Sequence, residues 1–548
     1  MTSYFLFILL ILWAVHAVQK GFYCLYFWQL KEYRVDRIKG DPKNTLKVFI
    51  PRTSILMAAL LVFLPVLSSS SGQYSWNDLV LIVFYALGAY SIFLLIKKRW
   101  RLPKLTKKAS LLVVLFFVIL ILGALVFAEN FFLFIILAEI AIPFLTFLLV
   151  ELLQIPTFFI KKSIYKKAAD KIKSHKNLIS IAITGSYGKS STKEFLYNFL
   201  SQKYKVLKTG GNTNTEIGVA QTIINSLTAE HQIFIAEMGA YRKGEIKLLC
   251  DIVKPKIGMV TGVNEQHLAL FGSLENLLSA EGGEELAESL PRDGTLILNG
   301  DNKYCLDLYK KSKNPPEKNK KIYSLSNKTV NADIWTESVA VNRGSLSFLV
   351  IDKTGELVNF EVKVLGKQNV QNILAAALAA KELGVSINES SQACKNISQE
   401  QAGMTLKLGK HGIYIIDSSY SSNPDGVLAD IDYLSTFPGK RVIVMPCLIE
   451  LGKKSAKIHG KIGKKIAKVC DLAIITTKDY FTELKSGFSE VQKNIGTGAE
   501  GQRRSTAKCL LCDKPEDIYS MVTLLCKADD AVLLEGRVPS KLLNLLIK

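Results

Sequence analysis

The residues from Gly185 to Ser191 read GSYGKSS and have the types and spacing of a phosphate-binding loop. Gly185 and Gly188 let the backbone turn its N–H groups toward an anion, and the dipole of a following helix favours negative charge there. Lys189 can reach the outer phosphates of a nucleotide, and the Ser190 hydroxyl can hold Mg²⁺. The predicted nucleotide contacts in this loop are Gly185, Ser186, Tyr187, Gly188, Lys189, Ser190 and Ser191.

A carboxylate and a histidine follow two further predicted strands. Glu237 comes directly after QIFIA, and His267 follows IGMVT in VTGVNEQHL. Ligands of an open parallel sheet bind outside the carboxyl ends of its strands, so we expect both side chains near the phosphate loop. Taken singly, each residue is more often a surface or capping residue. In this order after a phosphate loop, they indicate a site that holds Mg²⁺ and neutralises charge during phosphoryl transfer.

The elements that must position these residues alternate between strand and helix, which predicts an α/β fold with a parallel sheet. The apolar run Ile179 to Ile183 predicts the strand before the loop, and a helix is expected to begin at Ser190 or Ser191. Further strands are predicted at Gln232 to Ala236, Lys256 to Thr261 and Thr295 to Leu298. Helices are predicted around Thr222, from Ser273 to Leu290 and from Asn369 to Leu383, and a small β insertion is predicted from Leu306 to Leu365.

The α/β alternation restarts after Gln401 and predicts a second, Rossmann-like domain. Its strands are expected near Ile413 to Asp417, Arg441 to Met445, Leu472 to Thr476 and Ala531 to Leu534. The predicted boundaries are therefore a central ATP-binding domain over 178–400 and a C-terminal domain over 401–548.

The front of the chain is much more apolar than the rest, and the whole chain has a mean hydropathy of +0.21. A membrane-spanning helix needs about 20 apolar residues. Five stretches come close, at Tyr4 to Val18, Ser54 to Leu67, Leu79 to Ile96, Leu111 to Phe127 and Phe131 to Leu153. We predict a membrane domain of about five helices over 1–160 and a basic juxtamembrane linker over 161–177 that contacts anionic lipid headgroups.

The formal net charge of +21 is explained better by membrane orientation than by nucleic acid, because no nucleic-acid-binding motif accompanies the basic residues. The segments Lys20 to Arg52 and Lys97 to Lys108 carry eight and seven Lys or Arg, whereas Ser68 to Asp78 and Ala128 to Asn130 carry none. The positive-inside rule places the basic segments in the cytoplasm. The prediction is a multi-pass protein of the plasma (inner) membrane with its catalytic domains in the cytoplasm, where ATP is available.

Two polar residues fall inside the predicted spans. Glu139 lies in the middle of the fifth span, where a carboxylate is costly enough to be either functional or paired with a neighbouring helix. Both interpretations stay open. His16 lies near the cytoplasmic end of the first span and is expected to reach toward the headgroups.

Seven segments occur in the order seen in the Mur ligases, namely GSYGKSSTKE, NTNTEIGV, EMGA, TGVNEQHLALFGSLEN, LNGDN, LGKQNVQNILAA and DSSYSSNPDGV. From about Ile179 to its C-terminus the chain resembles this family, and most of all the branch that adds D-alanyl-D-alanine to a muramoyl tripeptide in peptidoglycan synthesis. The resemblance implies a P-loop central domain, a Rossmann-like C-terminal domain and an ATP- and Mg²⁺-dependent ligase. The predicted membrane domain lies outside it.

The resemblance also implies a mechanism, in which a substrate carboxylate takes the γ-phosphate of ATP and an amine then displaces phosphate from the acyl phosphate. Lys189 would stabilise the β- and γ-phosphates, Ser190 and Glu237 would hold one Mg²⁺, and His267 would hold a second. Asn369 resembles the residue that reads adenine. The C-terminal motif that closes on the nucleotide and the amine would contribute Asp417, Tyr420 and Asn423.

Three positions depart from the family pattern. Glu281 stands where family members carry a lysine modified to a carbamate, and its carboxylate could orient the second Mg²⁺ without carbon dioxide. Gly403 stands in place of an arginine, which removes a donor to the γ-phosphate. Ser418 stands where the family has an acidic residue two before the motif tyrosine, with Asp417 displaced by one.

The expected partners are a muramoyl-peptide acceptor, an amino-acid or dipeptide donor and membrane lipids, with no nucleic acid. Relatives begin with a domain that grips the uridine nucleotide of the acceptor, and here the membrane helices stand in its place. These helices either present a lipid-linked acceptor or only tether the enzyme that uses a soluble one. Two alternatives remain: another Mur-type amino-acid ligase, such as a polyglutamate ligase, and a catalytically weak nucleotide-binding membrane scaffold.

Overall fold

The computed structural model describes residues 2–39, 42–51, 53–56, 59, 76–327, 330–419, 423–449, 451–493 and 507–547. The chain divides into two compact units, Met1–Lys162 and Ser163–Lys548.

The N-terminal unit is entirely helical in its described part. Its helices are Thr2–Leu30, Val35–Lys39, Pro42–Phe49, Trp76–Ile96, Lys107–Val126 and Phe131–Ser174, with a short 3₁₀ turn at Ala128–Asn130; the last helix continues into the second unit. Among the described residues, three stretches are long and apolar enough to cross a membrane, at Phe7–Leu30, Lys107–Val126 and Leu133–Ser174, and Ile82–Ile96 is a shorter apolar helix. Most of the predicted span from Ser54 to Leu67 lies outside the described residues.

The first helix is much longer than the predicted span from Tyr4 to Val18. The polar pair Gln19-Lys20 does not end it, because apolar side chains resume at Cys24 and Leu25 and are 1% exposed in the unit's core. Lys20 therefore belongs to this helix and is 7% exposed, so the prediction that it starts a basic loop is wrong.

A polar cluster lies at the centre of the N-terminal unit. Glu139 is fully buried, and its carboxylate accepts a hydrogen bond from Lys20 and lies 3.3 Å from His16 Nε2. The Lys20 ammonium also donates to Ser54 Oγ at 2.9 Å, and His16 Nδ1 lies 3.0 Å from Ser91 Oγ. Glu139 is thus paired with a neighbouring helix, and the prediction that His16 reaches the headgroups is wrong because His16 is 5% exposed.

A nine-stranded sheet forms the first half of the second unit, in the order β2-β3-β1-β4-β5-β6-β7-β8-β9. Its strands are β1 Ile179–Thr184, β2 Val206–Lys208, β3 Ile233–Glu237, β4 Ile257–Val260, β5 Thr295–Asn299, β6 Lys320–Ser324, β7 Ile334–Val341, β8 Leu346–Asp352 and β9 Leu357–Val362. Neighbours are parallel from β2 to β7 and antiparallel from β7 to β9. The predicted β insertion is therefore the far edge of the same sheet, because β6 pairs directly with β5.

Helices pack against this sheet, and their side chains form the hydrophobic core together with those of the strands. They are Lys189–Leu200, Glu216–Ser226, Glu245–Val253, Leu268–Phe271, Leu274–Ser279, Glu284–Ser289, Lys303–Lys311, Gln368–Glu382 and Ile387–Cys394, with 3₁₀ turns at Glu317–Asn319 and Gln399–Ala402. The Ala-rich helix Gln368–Glu382 packs in one core with Phe195 and Phe199. On the other side, Ala168 and Ile172 at the end of the long helix Phe131–Ser174 join the core that contains β3 and β4 side chains.

A six-stranded sheet forms the C-terminal half, in the order β10-β11-β15-β12-β13-β14. Its strands are β10 Thr405–Leu408, β11 Tyr414–Ser418, β12 Arg441–Met445, β13 Leu472–Ile475, β14 Lys508–Leu511 and β15 Ala531–Glu535. Among the strands that the structure describes in this half, only the β10–β11 pair is antiparallel, as expected for an open, Rossmann-like sheet with one added edge strand. The helices are Pro424–Leu434, Ser455–Val469, Phe481–Lys493, Pro515–Leu525 and Ser540–Ile547, with 3₁₀ turns at Lys410–Gly412 and Gly452–Lys454.

Candidate functional site

The site lies where three neighbouring parallel strands end. The register pairs Ile183 of β1 with Glu237 of β3, and Thr184 of β1 with Val260 of β4. The phosphate loop leaves β1, Glu237 ends β3, and the segment with His267 follows β4. The parallel sheet therefore brings together the three segments that the sequence selected.

The phosphate loop requires glycine at positions 185 and 188, because neighbouring atoms leave no space for a side chain there. A Cβ on Gly185 would lie 2.5 Å from Thr261 Oγ1, and one on Gly188 would lie 2.5 Å from Asn372 Oδ1. The next helix begins at Lys189, and no side chain caps its N-terminus at Gly188. The Lys189 ammonium donates to the Gly185 carbonyl, so it lies over the loop. This cradle of backbone N–H groups and one ammonium suits a nucleotide's phosphates.

Glu237 is 1% exposed and is held by three side chains. Its Oε1 accepts from Ser190 Oγ at 3.1 Å and from Asn214 Nδ2 at 3.1 Å, while its Oε2 accepts from Lys193 Nζ at 2.9 Å. The predicted pair of Ser190 and Glu237 is thus in contact. Asn214 and Lys193 were missed by the sequence analysis. Lys193 could have been noticed, because it stands between Thr192 and Phe195 on the buried face of a helix, where a lysine is unusual.

His267 and Glu281 form the second pair. His267 Nδ1 lies 2.9 Å from Glu281 Oε1, and Ser186 Oγ of the phosphate loop donates to Oε2 at 2.8 Å. Burial alone raises the pKa of Glu281, but the charge and hydrogen bond of His267, the charge of Lys189 and the Ser186 hydrogen bond together hold it below its usual value. Glu281 is therefore an ionised carboxylate inside the protein, tied directly to the phosphate loop.

Glu281 reaches the site because the predicted helix from Ser273 to Leu290 is broken. The structure has two short helices, Leu274–Ser279 and Glu284–Ser289, and Glu281 lies in the turn between them. A Cβ on Gly282 would lie 2.2 Å from the Leu278 carbonyl oxygen, so the chain turns back on itself here at a distance only glycine allows. The prediction of one continuous helix is wrong for this reason.

Asn264, which the sequence did not single out, connects the phosphate loop to the C-terminal sheet. Its backbone N–H donates to Ser186 Oγ at 3.2 Å, and its Nδ2 donates to Asn423 Oδ1 at 3.3 Å and to Asp425 Oδ2 at 3.0 Å. Asn423 also caps the helix Pro424–Leu434 by accepting from Asp425 N and Gly426 N. The predicted residue Asn423 is therefore at the site's edge.

The other predicted nucleotide contacts have internal partners. Asn369 is 1% exposed, and its amide donates to the Leu365 carbonyl at 2.8 Å and accepts from Asn372 at 3.0 Å. Asn372 is the amide beside Gly188, and Thr192 donates to it at 3.4 Å.

Asp417, another predicted nucleotide contact, accepts from Ser419 Oγ at 2.6 Å. Ser191 donates to the Ala402 carbonyl at 3.3 Å, the phenol of Tyr187 accepts from Asn302 at 3.2 Å, and Tyr420 lies outside the described residues.

A pair of buried carboxyl groups lies behind this edge. Asp430 accepts from Ser418 Oγ at 2.6 Å and from Gln368 Nε2 at 2.9 Å, so a carboxyl group does stand beside Ser418. Glu535, at the end of β15, is 1% exposed and faces Asp430. Burial, the charge of Asp430 and their mutual hydrogen bond raise the pKa of Glu535 well above its usual value, and burial raises that of Asp430.

The donors at the sheet edge fit Mg²⁺ bound together with phosphate. Across the parts of the chain that the structure describes, no cluster of three or more His, Cys, Asp or Glu forms a complete protein cage. Mg²⁺ does not need one, because it usually takes one or two carboxylates and fills its remaining positions with water and substrate phosphates. Ser190, Glu237, His267 and Glu281 supply a set of that kind beside the phosphate cradle.

Comparison with known proteins agrees with this geometry. Residues 183–380 match the Mur ligase middle domain, and residues 404–538 match the Mur ligase glutamate ligase domain. The UDP-N-acetylmuramoyl-tripeptide–D-alanyl-D-alanine ligase of Escherichia coli K12 is 29% identical over 57% of this chain and 67% of its own length. The enzyme of that name from Synechocystis is 31% identical over 66% of this chain and 74% of its own length. The crystal structure of MurF ligase from Thermotoga maritima in complex with ADP has the same fold, with a TM-score of 0.57, 24% identity and coverage of 70% of this chain and 83% of that one.

Proposed function

The chain belongs to the Mur ligase family, and we propose that it joins D-alanyl-D-alanine to a muramoyl tripeptide in an ATP-dependent step of peptidoglycan precursor synthesis. The observation that carries this proposal is the meeting of the phosphate loop with two buried carboxylates, Glu237 at the end of β3 and Glu281 in the turn between two short helices. The relatives from Escherichia coli and Synechocystis carry this activity in their names.

The reaction consists of two balanced transfers. An oxygen of the tripeptide's terminal carboxylate attacks the γ-phosphorus of ATP, and ADP leaves. The amine of the dipeptide then attacks the acyl carbon, phosphate leaves with the bonding electrons, and the amine's proton is released as the amide forms. Both steps gather negative charge, so a site of fixed cations and donors is better suited to them than a protein nucleophile.

The chain's own residues take defined roles in this scheme. The phosphate loop and Lys189 hold the β- and γ-phosphates, while Ser190 and Glu237 hold the first Mg²⁺ and His267 holds the second. Bound Mg²⁺ supplies charge neutralisation at the transferring phosphoryl group. Further nucleotide contacts come from Asn369 and from the C-terminal motif that contains Asp417, Tyr420 and Asn423. Asn264 supports this last assignment, since it hydrogen-bonds to both Asn423 and Asp425.

Glu281 replaces the family's carbamate with a carboxylate that is part of the chain. Its hydrogen bonds to His267 and Ser186 fix the imidazole that would hold the second Mg²⁺. A ligand's hydrogen-bonding partner sets the orientation and basicity of that ligand. Because Glu281 is already charged, this enzyme requires no carbon dioxide to complete its site.

The alternative of a catalytically weak scaffold rests on Gly403, which offers no side chain where the family has an arginine. Lys189, Glu237 and His267 are all retained at the strand ends, and they favour the enzyme. Another Mur-type amino-acid ligase would share this site, so the identity of the acceptor and the amine decides between the two ligases.

The N-terminal helices span a membrane, and the second unit lies in the cytoplasm. Exposed Phe158 and Phe159 are followed on the long helix by exposed lysines, namely Lys161, Lys162, Lys166 and Lys167. Aromatic rings followed by cations are typical of the headgroup region, where anionic lipids attract lysine. These helices either present a lipid-linked acceptor or only tether an enzyme that uses a soluble one.

A ligation assay tests the proposal. The detergent-purified chain is incubated with ATP, Mg²⁺, D-alanyl-D-alanine and muramoyl tripeptide in uridine-linked and lipid-linked forms, and products are followed by mass spectrometry. We expect a dipeptide-extended product that disappears in Lys189→Ala. Parallel reactions replace the dipeptide with glutamate or other amino acids. Product only from these would assign another Mur-type ligase, and ATP binding without product from any amine would assign the scaffold.

A further inference from the structure

Lys193 is a buried charge that the proposed mechanism does not use. It lies on the helix Lys189–Leu200, one turn beyond Lys189, and its side chain is 0% exposed. Lysine is almost never fully buried unless it is paired, because removing its charge from water is costly. Its position next to the nucleotide site, rather than in a remote part of the core, indicates a role in that site.

The ammonium of Lys193 joins two parts of the site. It donates to Glu237 Oε2 at 2.9 Å and to the carbonyl of Gly211 at 2.7 Å. Gly211 belongs to the loop Thr209–Thr215, which we call the TGGNTNT loop. Asn214 of the same loop donates to the other oxygen of Glu237 at 3.1 Å.

The TGGNTNT loop is fastened to Glu237 and also borders open space. Thr209 Oγ1 accepts from the Glu237 backbone N–H at 3.1 Å, and the Asn214 carbonyl accepts from Gly239 N at 2.9 Å. A Cβ on Gly210 or Gly211 would meet no atom within 4 Å. One edge of the loop is therefore held by Glu237 and Lys193, and the other faces open space.

We propose that Lys193 is a positioning residue that fixes the Glu237 carboxylate toward Ser190 and ties the TGGNTNT loop to it, so that binding of Mg²⁺ with nucleotide and order of this loop are coupled. With Oε2 occupied by Lys193, Oε1 is the oxygen that faces Ser190. The inference rests on the proposed function, because it takes Glu237 as a magnesium ligand.

A purely structural role predicts the opposite result in one measurement. If Lys193 only compensated the buried charge of Glu237, its removal would leave Mg²⁺ as the sole compensating cation. The enhancement of nucleotide affinity by Mg²⁺ would then be unchanged or larger. If Lys193 positions the carboxylate, the enhancement falls, because the ligand is no longer held in its productive orientation.

The experiment measures ADP affinity of the detergent-purified full chain by calorimetry, with and without Mg²⁺. For Lys193→Met we expect the enhancement to fall by about tenfold or more, with little change in the affinity measured without the metal. Hydrogen exchange of the TGGNTNT loop should become faster. Lys205→Met is the matched control, since Lys205 also precedes this loop but pairs with the exposed Glu230, and it should leave both readouts unchanged.

Two further variants keep the test decisive. In a Glu237→Gln background the added Lys193→Met change should have no further effect on the enhancement, because Lys193 acts through Glu237. If Lys193→Met does not fold, Lys193→Arg keeps the charge but displaces the donors, and the enhancement should again fall. An undiminished enhancement in the folded Lys193 variants would overturn the inference alone, whereas a wild-type chain whose ADP affinity ignores Mg²⁺ would overturn the proposed function with it.

Discussion

Glu139 and Glu237 are two buried carboxylates in different regions of the molecule, and each is paired with a lysine. Each is at most 1% exposed, and each accepts a hydrogen bond from a buried lysine, Lys20 for Glu139 and Lys193 for Glu237. Glu139 also lies beside His16, within a unit whose core is made of packed apolar helices. Glu237 also accepts from Ser190, in the first turn of a helix, and from Asn214 of a loop, beside a phosphate cradle.

The difference teaches that burial and pairing of a charge do not by themselves indicate chemistry. The Glu139 cluster is enclosed by the core of its unit, so its charges mainly specify how the helices pack. The Glu237 pair stands at the end of a strand, next to a loop that borders open space, where a metal and a phosphate can approach. The Asp430 and Glu535 carboxyls form a third case, because they face each other rather than a lysine, and burial raises the pKa of both.

The largest effect should come from removing the cation of the catalytic region. Lys189→Ala deletes the ammonium over the phosphate loop, and we expect the turnover number to fall by about 10²- to 10³-fold, as for other preorganised charge-stabilising groups. The melting temperature should hardly change, because Lys189 is partly exposed. Lys208→Ala is the control, and a comparable loss of turnover in that variant would contradict a specific role for Lys189.

The opposite pattern is expected in the N-terminal unit. Glu139→Gln leaves the buried Lys20 charge without its counter-ion, which should cost about 3–5 kcal/mol of stability. Thermal unfolding in detergent should show this loss, while the folded fraction keeps its nucleotide affinity. The double variant Lys20→Met/Glu139→Gln removes both charges and should recover most of the stability. A loss of ligase turnover in folded Glu139→Gln protein would instead make Glu139 functional and end the contrast with Glu237.

Glu281 should show a smaller effect on turnover than Lys189. Glu281→Gln keeps the shape but removes the charge that holds His267, and we expect a loss of about 10- to 100-fold in turnover with a higher Mg²⁺ requirement. Removing carbon dioxide from the buffers should leave the wild-type rate unchanged. A wild-type rate that rises with added bicarbonate would show that a carbamate, and not Glu281, completes the site.

The carboxyl pair of the C-terminal sheet, Asp430 and Glu535, should make the stability of the protein depend on pH. The folded chain holds the Glu535 proton to a pH well above its usual pKa, while the unfolded chain releases it near that pKa. This bound proton contributes its full stabilisation of the folded chain at a pH below the usual pKa of glutamate. The stabilisation is lost as the pH rises from the usual pKa toward the raised pKa, by up to about 1.4 kcal/mol per pH unit for one proton. Unfolding of Glu535→Gln between pH 5 and 8 should depend less on pH than that of wild type, with Glu516→Gln as an exposed control. Equal slopes in the wild type and the Glu535 variant would contradict a raised pKa of Glu535 in the folded chain.

The sequence was sufficient where the signal is local. The apolar run before Thr184 and the two glycines of the loop predict the strand, the turn and the helix, and the structure starts the helix at Lys189. Glu237 and His267 follow directly from the rule that ligands bind at strand ends.

The rest depends on contacts between distant parts of the chain. Lys193 and Glu237 are 44 positions apart, and Lys20 and Glu139 are 119 apart, so the sequence spacing predicts neither pair. The break at Gly282 is a close approach of backbone that no helical period reveals. His16 was misjudged because its partner, Glu139, comes from another helix.

The most direct test of the account follows one oxygen atom. The muramoyl tripeptide is prepared with ¹⁸O at both oxygens of the carboxylate that receives the amine, and the phosphate released during ligation with D-alanyl-D-alanine is analysed by mass spectrometry. Attack of that carboxylate on ATP predicts one ¹⁸O in each phosphate released, with no such phosphate from Lys189→Ala. Unlabelled phosphate formed alongside the ligated product would contradict activation of the carboxylate at this site.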